Sequence, residues 1–441
     1  MDDAEIVPHS CLYLDASWKD ILYGLHATSL GRHDRTWVTE ELRELWTTPT
    51  NPNHVLSCLS VRSSLDLFLR VKNFPHGSEV IMSAINIPSM VQVVLHHGLK
   101  PVPCDVSLDT LAPKVELLES LVTDKSVAIL VAHIYGKQTN LDPWIEAAKK
   151  HKLLFIEDAA EAFCGLKYVG HPDADLSLFS FGTIKFYTAF GGAICKIKDR
   201  KLYEDMLKLH NEYPFQSSAE YLQKLIKIVF IYIALNCPKF LGTSYSFLRT
   251  FGIEPPKSKI VSLLRGFPGD LIKGIRCQPS TALLSVLFHR LSSFDASDYN
   301  IAQVKGDYVS ENLPKGVTTV GHLAHVRNFW LFPIVVENPD EMMKRLWAMG
   351  VDAYRGATQL NVIESTNGFG PPGTSGDKKL EHMITHDPLE AKYLIDHVLY
   401  LPVNKHVSFQ HLDRICKAVD LALRQMREER GQGQVKIQSK L

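Results

Sequence analysis

Lys185 and Asp158 are the two residues of this chain best placed to do chemistry together. Each follows an apolar run. Leu153-Leu154-Phe155-Ile156 leads into Glu157-Asp158-Ala159-Ala160-Glu161, and the run 176–181 leads into Gly182-Thr183-Ile184-Lys185, with Gly191-Gly192 shortly after. Such runs read as parallel strands buried on both faces. Ligands of α/β sheets bind in the crevice outside the carboxyl ends of these strands. An amine and a carboxylate delivered to that crevice are what pyridoxal 5'-phosphate (PLP) requires. The amine forms a Schiff base with the cofactor, and the carboxylate holds the pyridinium nitrogen protonated so that the ring can act as an electron sink. Taken singly, a lysine after a strand reads as a solvated surface residue and an aspartate as a helix N-cap.

The elements that must position this pair alternate in kind. Strands are predicted at 80–83, 100–103, 128–132, 153–156, 176–181 and 192–197. Helices are predicted at 64–72, 90–97, 115–121, 141–151 and 200–210, with an earlier helical segment around 38–46. This alternation predicts a mostly parallel sheet wrapped by helices. A helix at 282–294 leads to a second region, with a strand at 329–336 and helices at 341–349 and 410–424. A length of 441 residues fits two domains. They are drawn here as a large PLP-binding domain, 1–300, and a small C-terminal α+β domain, 301–441.

Residues 211–275 break the alternation and read as an insertion. Within them, the uninterrupted apolar part 228–235 is far short of the ~20 residues that a membrane span needs. A helix apolar nearly all round must be covered on most sides. The expected cover is a partner subunit, against Ile228 and Ile231, with a membrane surface touched through 222–235 as the alternative. Residues 367–379, rich in Gly, Pro, Ser and Thr, read as a mobile loop.

Lys plus Arg and Asp plus Glu both number 48, so bulk charge gives nucleic acid no reason to bind. The eight cysteines are scattered without a C-x-x-C pair, which suits reduced thiols better than disulfides or zinc. No histidine spacing marks a metal site. The acidic start, Met1-Asp2-Asp3-Ala4-Glu5, has no apolar core of a signal peptide, so the expected location is cytoplasmic. The final Ser439-Lys440-Leu441 reads as a peroxisomal address if the source is eukaryotic.

Taken in order, these stretches resemble the DegT/StrS family of sugar aminotransferases, PLP enzymes of fold type I. The resemblance runs from near Ser60 through Gly192 and resumes from about Arg276. It implies a homodimer and the transfer of an amino group from an amino acid donor to a keto acceptor, expected to be a nucleotide-linked keto-sugar. It makes Lys185 the Schiff-base lysine and the base that moves the substrate proton, Asp158 the partner of the ring nitrogen, and Ser180 a phosphate ligand. Glu161 stands where the family has Gln or His beside the ring hydroxyl. A carboxylate there either shifts the cofactor's protonation or points elsewhere. His133-Ile134-Tyr135-Gly136 matches a family turn, which gives His133 a place on the site wall or a structural role.

Three cofactor contacts depart from the family pattern. The Ser-Gly-Thr at the phosphate-binding helix start is Ser60-Val61-Arg62 here, followed by Ser63 and Ser64. Arg62 either replaces the threonine as a phosphate ligand, with Ser63 adding a hydroxyl, or turns to solvent. Ile87 stands where an aromatic residue stacks on the ring. Gly274 stands where the second subunit lends an Asn to the phosphate, two residues before Arg276. If these changes abolish cofactor binding, the chain is a non-catalytic binding or scaffold protein of the same fold.

Overall fold

In the computed structural model the described residues are 6–29, 33–48, 54–255, 257–258, 261, 269–363 and 387–438. The loop expected at 367–379 and the tripeptide 439–441 lie outside them. The central sheet has seven strands: β1 (Val55–Cys58), β2 (Glu79–Ser83), β3 (Lys100–Cys104), β4 (Ser126–Ala132), β5 (Leu154–Asp158), β6 (Leu176–Ser180) and β7 (Ala193–Ile197). Their order is β1-β7-β6-β5-β4-β2-β3. Neighbours from β3 to β6 are parallel, and β7 is antiparallel to both β6 and β1. The expected mostly parallel α/β sheet is therefore present. The six predicted strands fall within two residues of their observed limits. β1, four residues long, was missed.

The two faces of the sheet show the period of 2 that a strand imposes. On β4, Ile129 and Val131 join Ile81, Phe155, Trp144 and Ile145 in one apolar cluster, which includes the helix Asp142–His151. Ala128 and Leu130 join Val80, Met82, Ile156, Leu65 and Phe68 in the other, under the helix Val61–Lys72. Both faces are dry, which is why the strands read as unbroken apolar runs. A third cluster is built on the strands Thr318–Thr319, Phe332–Val335 and Val398–Leu401 with the helices Pro339–Ala348 and Phe409–Gln438.

The chain turns from β6 into antiparallel β7 through its paired glycines. Phe181 N–H donates to Gly192 O at 3.0 Å, and Gly191 N–H donates to Phe181 O at 2.9 Å. Gly192 has φ +84°, a left-handed conformation that side chains disfavour.

The segment 211–275 contains the helices Ser218–Asn236 and Pro238–Thr250. The first opens with a capping box, Ser217 with Glu220. Its buried residues, Tyr221, Leu225, Ile228, Ile231, Tyr232 and Leu235, form one stripe. That stripe packs on the helix Trp18–Ser29, where the Trp18 and Tyr232 rings lie 4.9 Å apart. This corrects the expected partner contact through Ile228 and Ile231. Both residues face the chain's own core, at 2% and 7% exposure, while Ile226 and Phe230 are 46% and 68% exposed. Among the described residues no single helix is long and apolar enough to cross a membrane. The two inserted helices pass that test only as a pair bent by 69°.

Candidate active site

Asp158 is the last residue of β5, beside Ala132 of β4 and Leu178 of β6. It is 5% exposed. Among the described residues its carboxylate has a single hydrogen bond, from Ala160 N–H to Oδ1 at 3.1 Å. Burial disfavours the ionised form and pushes its pKa up to about 6, although the nearby Lys185 charge acts in the opposite direction.

Lys185 follows β6 by five residues, in a turn that Thr188 ties down by donating to Gly182 O at 2.7 Å. Its ammonium is 2.9 Å from Oε1 of Glu161. It also lies 4.7 Å from the centre of the Trp330 ring. The Trp330 indole N–H donates to Ile184 O at 2.9 Å, so the ring is locked to the lysine's own loop.

Glu161 bridges two elements. Its Oε2 accepts Tyr135 N–H at 3.1 Å while its Oε1 takes Lys185. Tyr135 holds φ +56°, an uncommon value for a residue with a side chain. Below this pair, Glu157 is fully buried. It accepts Tyr168 Oη at 2.5 Å, Ser177 Oγ at 2.7 Å and His171 N–H at 2.8 Å. His133 Nε2 lies 3.4 Å from its Oε1. Burial pushes the Glu157 carboxyl up, yet these contacts, led by His133, bring it net below the usual range. His133 thus sits in a buried support network, with Nδ1 accepting Thr139 N–H at 3.3 Å.

The helix Val61–Lys72 starts beside the sheet with Ser60 as its N-cap. Ser60 Oγ accepts Ser63 N–H at 3.2 Å and meets Ser63 Oγ at 2.9 Å. Arg62 turns toward the chain, not solvent. Nη1 donates to Ser89 Oγ at 3.3 Å, and burial lowers its pKa to about 10. Ser89 follows Ile87 and Pro88, so Arg62 reaches the turn that carries Ile87. Ser180 Oγ accepts Gly182 N–H at 3.4 Å at the mouth of β6. Arg276 makes a two-pronged pair with Asp66 on the same helix, both bonds 2.9 Å, and Gly274 lies in the short helix Leu271–Ile275.

The sequence reading missed two residues of this neighbourhood. Trp330 comes from the predicted strand 329–336, where only its apolar character was visible. Lys224 comes from the inserted helix Ser218–Asn236 and points at Gly191. A Cβ at Gly191 would lie 3.1 Å from Lys224 Nζ.

The middle of this chain and its fold resemble those of known aminotransferases. Residues 39–226 match the DegT/DnrJ/EryC1/StrS aminotransferase family. The chain is 34% identical over 173 residues to a UDP-4-amino-4-deoxy-L-arabinose–oxoglutarate aminotransferase of Shewanella sediminis, covering 38% of this chain and 44% of that protein. It is 30% identical over 188 residues to a GDP-perosamine synthase of Caulobacter vibrioides, covering 41% and 50%. The chain thus spans about half the length of the curated relatives it matches. The crystal structure of a DegT DnrJ EryC1 StrS aminotransferase from Brucella abortus superposes with a TM-score of 0.64, covering 91% of this chain and 95% of that one at 16% identity. That likeness establishes the fold. Over residues 39–226 the chain is thus similar to the DegT/DnrJ/EryC1/StrS aminotransferase family.

Proposed function

We propose that this protein is a PLP-dependent aminotransferase that moves an amino group from an amino acid donor to a keto acceptor, with Lys185 carrying the cofactor. The observation that bears most weight is the placement of Asp158 at the carboxyl end of β5 and of Lys185 just beyond the carboxyl end of the adjacent β6, near enough for the lysine charge to act on Asp158. The residues fit the cofactor chemically. Asp158 is a buried carboxylate with one N–H donor and no cation bonded to it among the described residues, which suits a pyridinium N–H. Bound there, PLP would supply the electron sink that lets a substrate C–H bond ionise.

The chain's own residues would do the rest. Asp158 holds a proton on the ring nitrogen. Lys185 Nζ, once released, carries the proton at the substrate carbon. Glu161 gives the freed lysine ammonium a fixed counter-charge, and Trp330 shields it on another side. The names of the similar proteins support a nucleotide-linked keto-sugar as acceptor. The functional unit is proposed as a homodimer.

The altered positions Val61, Ile87 and Gly274 favour a second reading, a fold-keeping scaffold with weak cofactor affinity. One experiment separates the two. Purified protein incubated with PLP and reduced with borohydride should carry a pyridoxyl group on the peptide containing Lys185. An unlabelled Lys185 would overturn the aminotransferase reading. A panel of keto-sugars offered with glutamate or glutamine then identifies the acceptor.

A further inference from the structure

Lys137 and Arg327 stand directly opposite each other where the short strands Lys137–Gln138 and Val326–Arg327 pair antiparallel. Residues so paired project to the same side of the ladder, and like charges there destabilise it. Arg327 has an answer, since its Nη2 lies 3.1 Å from Oδ1 of Asp307. Lys137 has none. It is 3% exposed, and its ammonium makes no hydrogen bond or ion pair among the described residues. It rests 3.4 Å from the centre of the Phe329 ring, with the Arg327 guanidinium 5.9 Å from the same centre. A ring face offsets only part of the cost of burying an ammonium. Burial, and then the Arg327 charge, lower the Lys137 pKa to about 7, with Asp307 acting the other way.

Both cations line one cavity of about 30 Å³, together with Phe329, Thr319, Ser310 and His322. The Thr319 hydroxyl makes no hydrogen bond among the described residues. Ser310 Oγ donates to Gly306 O at 2.9 Å, and His322 lies 3.8 Å from Asp109. Gly306 lets the Phe329 ring lie against its helix, Ala296–Asn312, where a Cβ would come within 2.2 Å of the ring. At ~10–15 Å³ for one water, the cavity has room for two, or for a single small anion. A phosphate ester or a nucleotide is too large for it.

We propose that this cavity binds one small monovalent anion, a halide or a formate-sized carboxylate, held between Lys137 and Arg327 with the Thr319 hydroxyl as a third donor. The site lies outside the Asp158–Lys185 centre and does not depend on the cofactor reading. It joins two parts of the chain. Lys137 follows the turn after β4 whose Tyr135 N–H binds Glu161, and Arg327 precedes Trp330, whose ring faces Lys185. Where the two cations alone would push the ladder apart, the anion attracts both and braces the two segments that flank the lysine.

The test follows the melting of the full-length chain, without cofactor, in chloride, formate or phosphate, each against gluconate of equal ionic strength. Wild type should show a saturable rise with chloride or formate, because a ligand of the folded state alone stabilises it by mass action. The ion that saturates at the lower concentration is the better fit. Lys137→Met keeps an unbranched side chain and removes the charge. It should melt in gluconate at or above wild type, with the repulsion gone. Its apparent affinity for formate should fall by roughly tenfold or more, the low end for a charge-assisted hydrogen bond. Thr319→Val, which leaves Lys137 in place, should weaken the same affinity several-fold. A wild type that melts alike in all four salts holds only water in the cavity, which overturns the site. So does an equal formate response in wild type and Lys137→Met. A Lys137→Met that melts well below wild type in gluconate shows that the ring already satisfies the ammonium, and overturns the anion. Protection by phosphate alone overturns the small-anion assignment.

Discussion

The ammonium of Lys185 and the carboxylate of Glu161 form a close ion pair, 2.9 Å apart, and the same carboxylate holds the Tyr135 N–H from the turn after β4. The pair ties the lysine loop to that turn. Asp158 is near enough to feel the Lys185 charge. In the structure Glu161 is thus a direct partner of Lys185.

Glu161→Gln should keep one of these two bonds and lose the other, because an amide has a single acceptor oxygen and its NH2 would face a donor. PLP capture on Lys185 should persist, and turnover should change within about tenfold, the scale of one modest hydrogen-bond difference. Lys185→Ala should abolish capture while leaving the melting transition in place. Equal capture in Lys185→Ala and wild type, read by borohydride labelling, would remove Lys185 from the mechanism.

Asp158 predicts a pH signature in the protein without cofactor. Its folded pKa, about 6, lies above the ordinary 3.8. Between those values the folded chain holds a proton that the unfolded chain has released. Stability from this group is thus full below about pH 4, falls as pH rises through about 6, and is flat above. The span is about 3 kcal/mol at most. Asp158→Asn should remove it, so that the variant unfolds at higher urea than wild type at pH 7 and the gap closes by pH 4. Turnover should fall, since an amide cannot hold the ring proton. Urea curves with the same pH slope in both proteins would refute the buried-carboxylate account.

Much of this arrangement was visible in the chain itself. β4, β5 and β6 are buried on both faces, so their apolar runs announced them, and Asp158 and Lys185 stood out as charged residues shortly after two of those runs. Other parts depend on tertiary contact. The strand Val398–Leu401 begins directly at the end of the helix Leu389–His397, with no turn residue to mark the change. Lys224 stands between Gln223 and Leu225 in a helix without catalytic spacing, and only the packing of that helix against Gly191 gives it a place. Trp330 looked like core. The apolar stretch 228–235 suggested a helix needing cover all round, but the helix Trp18–Ser29, which the sequence did not reveal, covers one side.

Trp330 should matter through its ring and its indole N–H together. Trp330→Phe keeps an apolar cover and loses the bond to Ile184 O. Trp330→Ala loses both. PLP affinity is expected to fall in that order, by several-fold and then by about tenfold or more, taking ~1 kcal/mol for the hydrogen bond and a similar amount for the cation over the ring. Identical PLP affinity in all three proteins, by fluorescence titration, would show that Trp330 is only a packing residue.

The inserted helix separates a fold requirement from an assembly requirement. Ile231 is 7% exposed and points into the chain, whereas Phe230, its neighbour, is 68% exposed. Ile231→Asp places a charge in the apolar stripe and should cost about 3 kcal/mol or more, lowering the melting temperature of the single chain. Phe230→Asp removes no intrachain contact of that kind and should leave the melt of a monomer within about 0.5 kcal/mol. Ile226, one turn earlier on the same side, and Phe240 and Phe247 on the following helix, are exposed as well. If the proposed homodimer is held through this side, Ile226→Asp with Phe230→Asp should shift sedimentation from dimer to monomer without unfolding the chain. A dimer that survives the double variant places its interface elsewhere. A wild type that sediments as a monomer in dilute, detergent-free buffer rejects the homodimer itself.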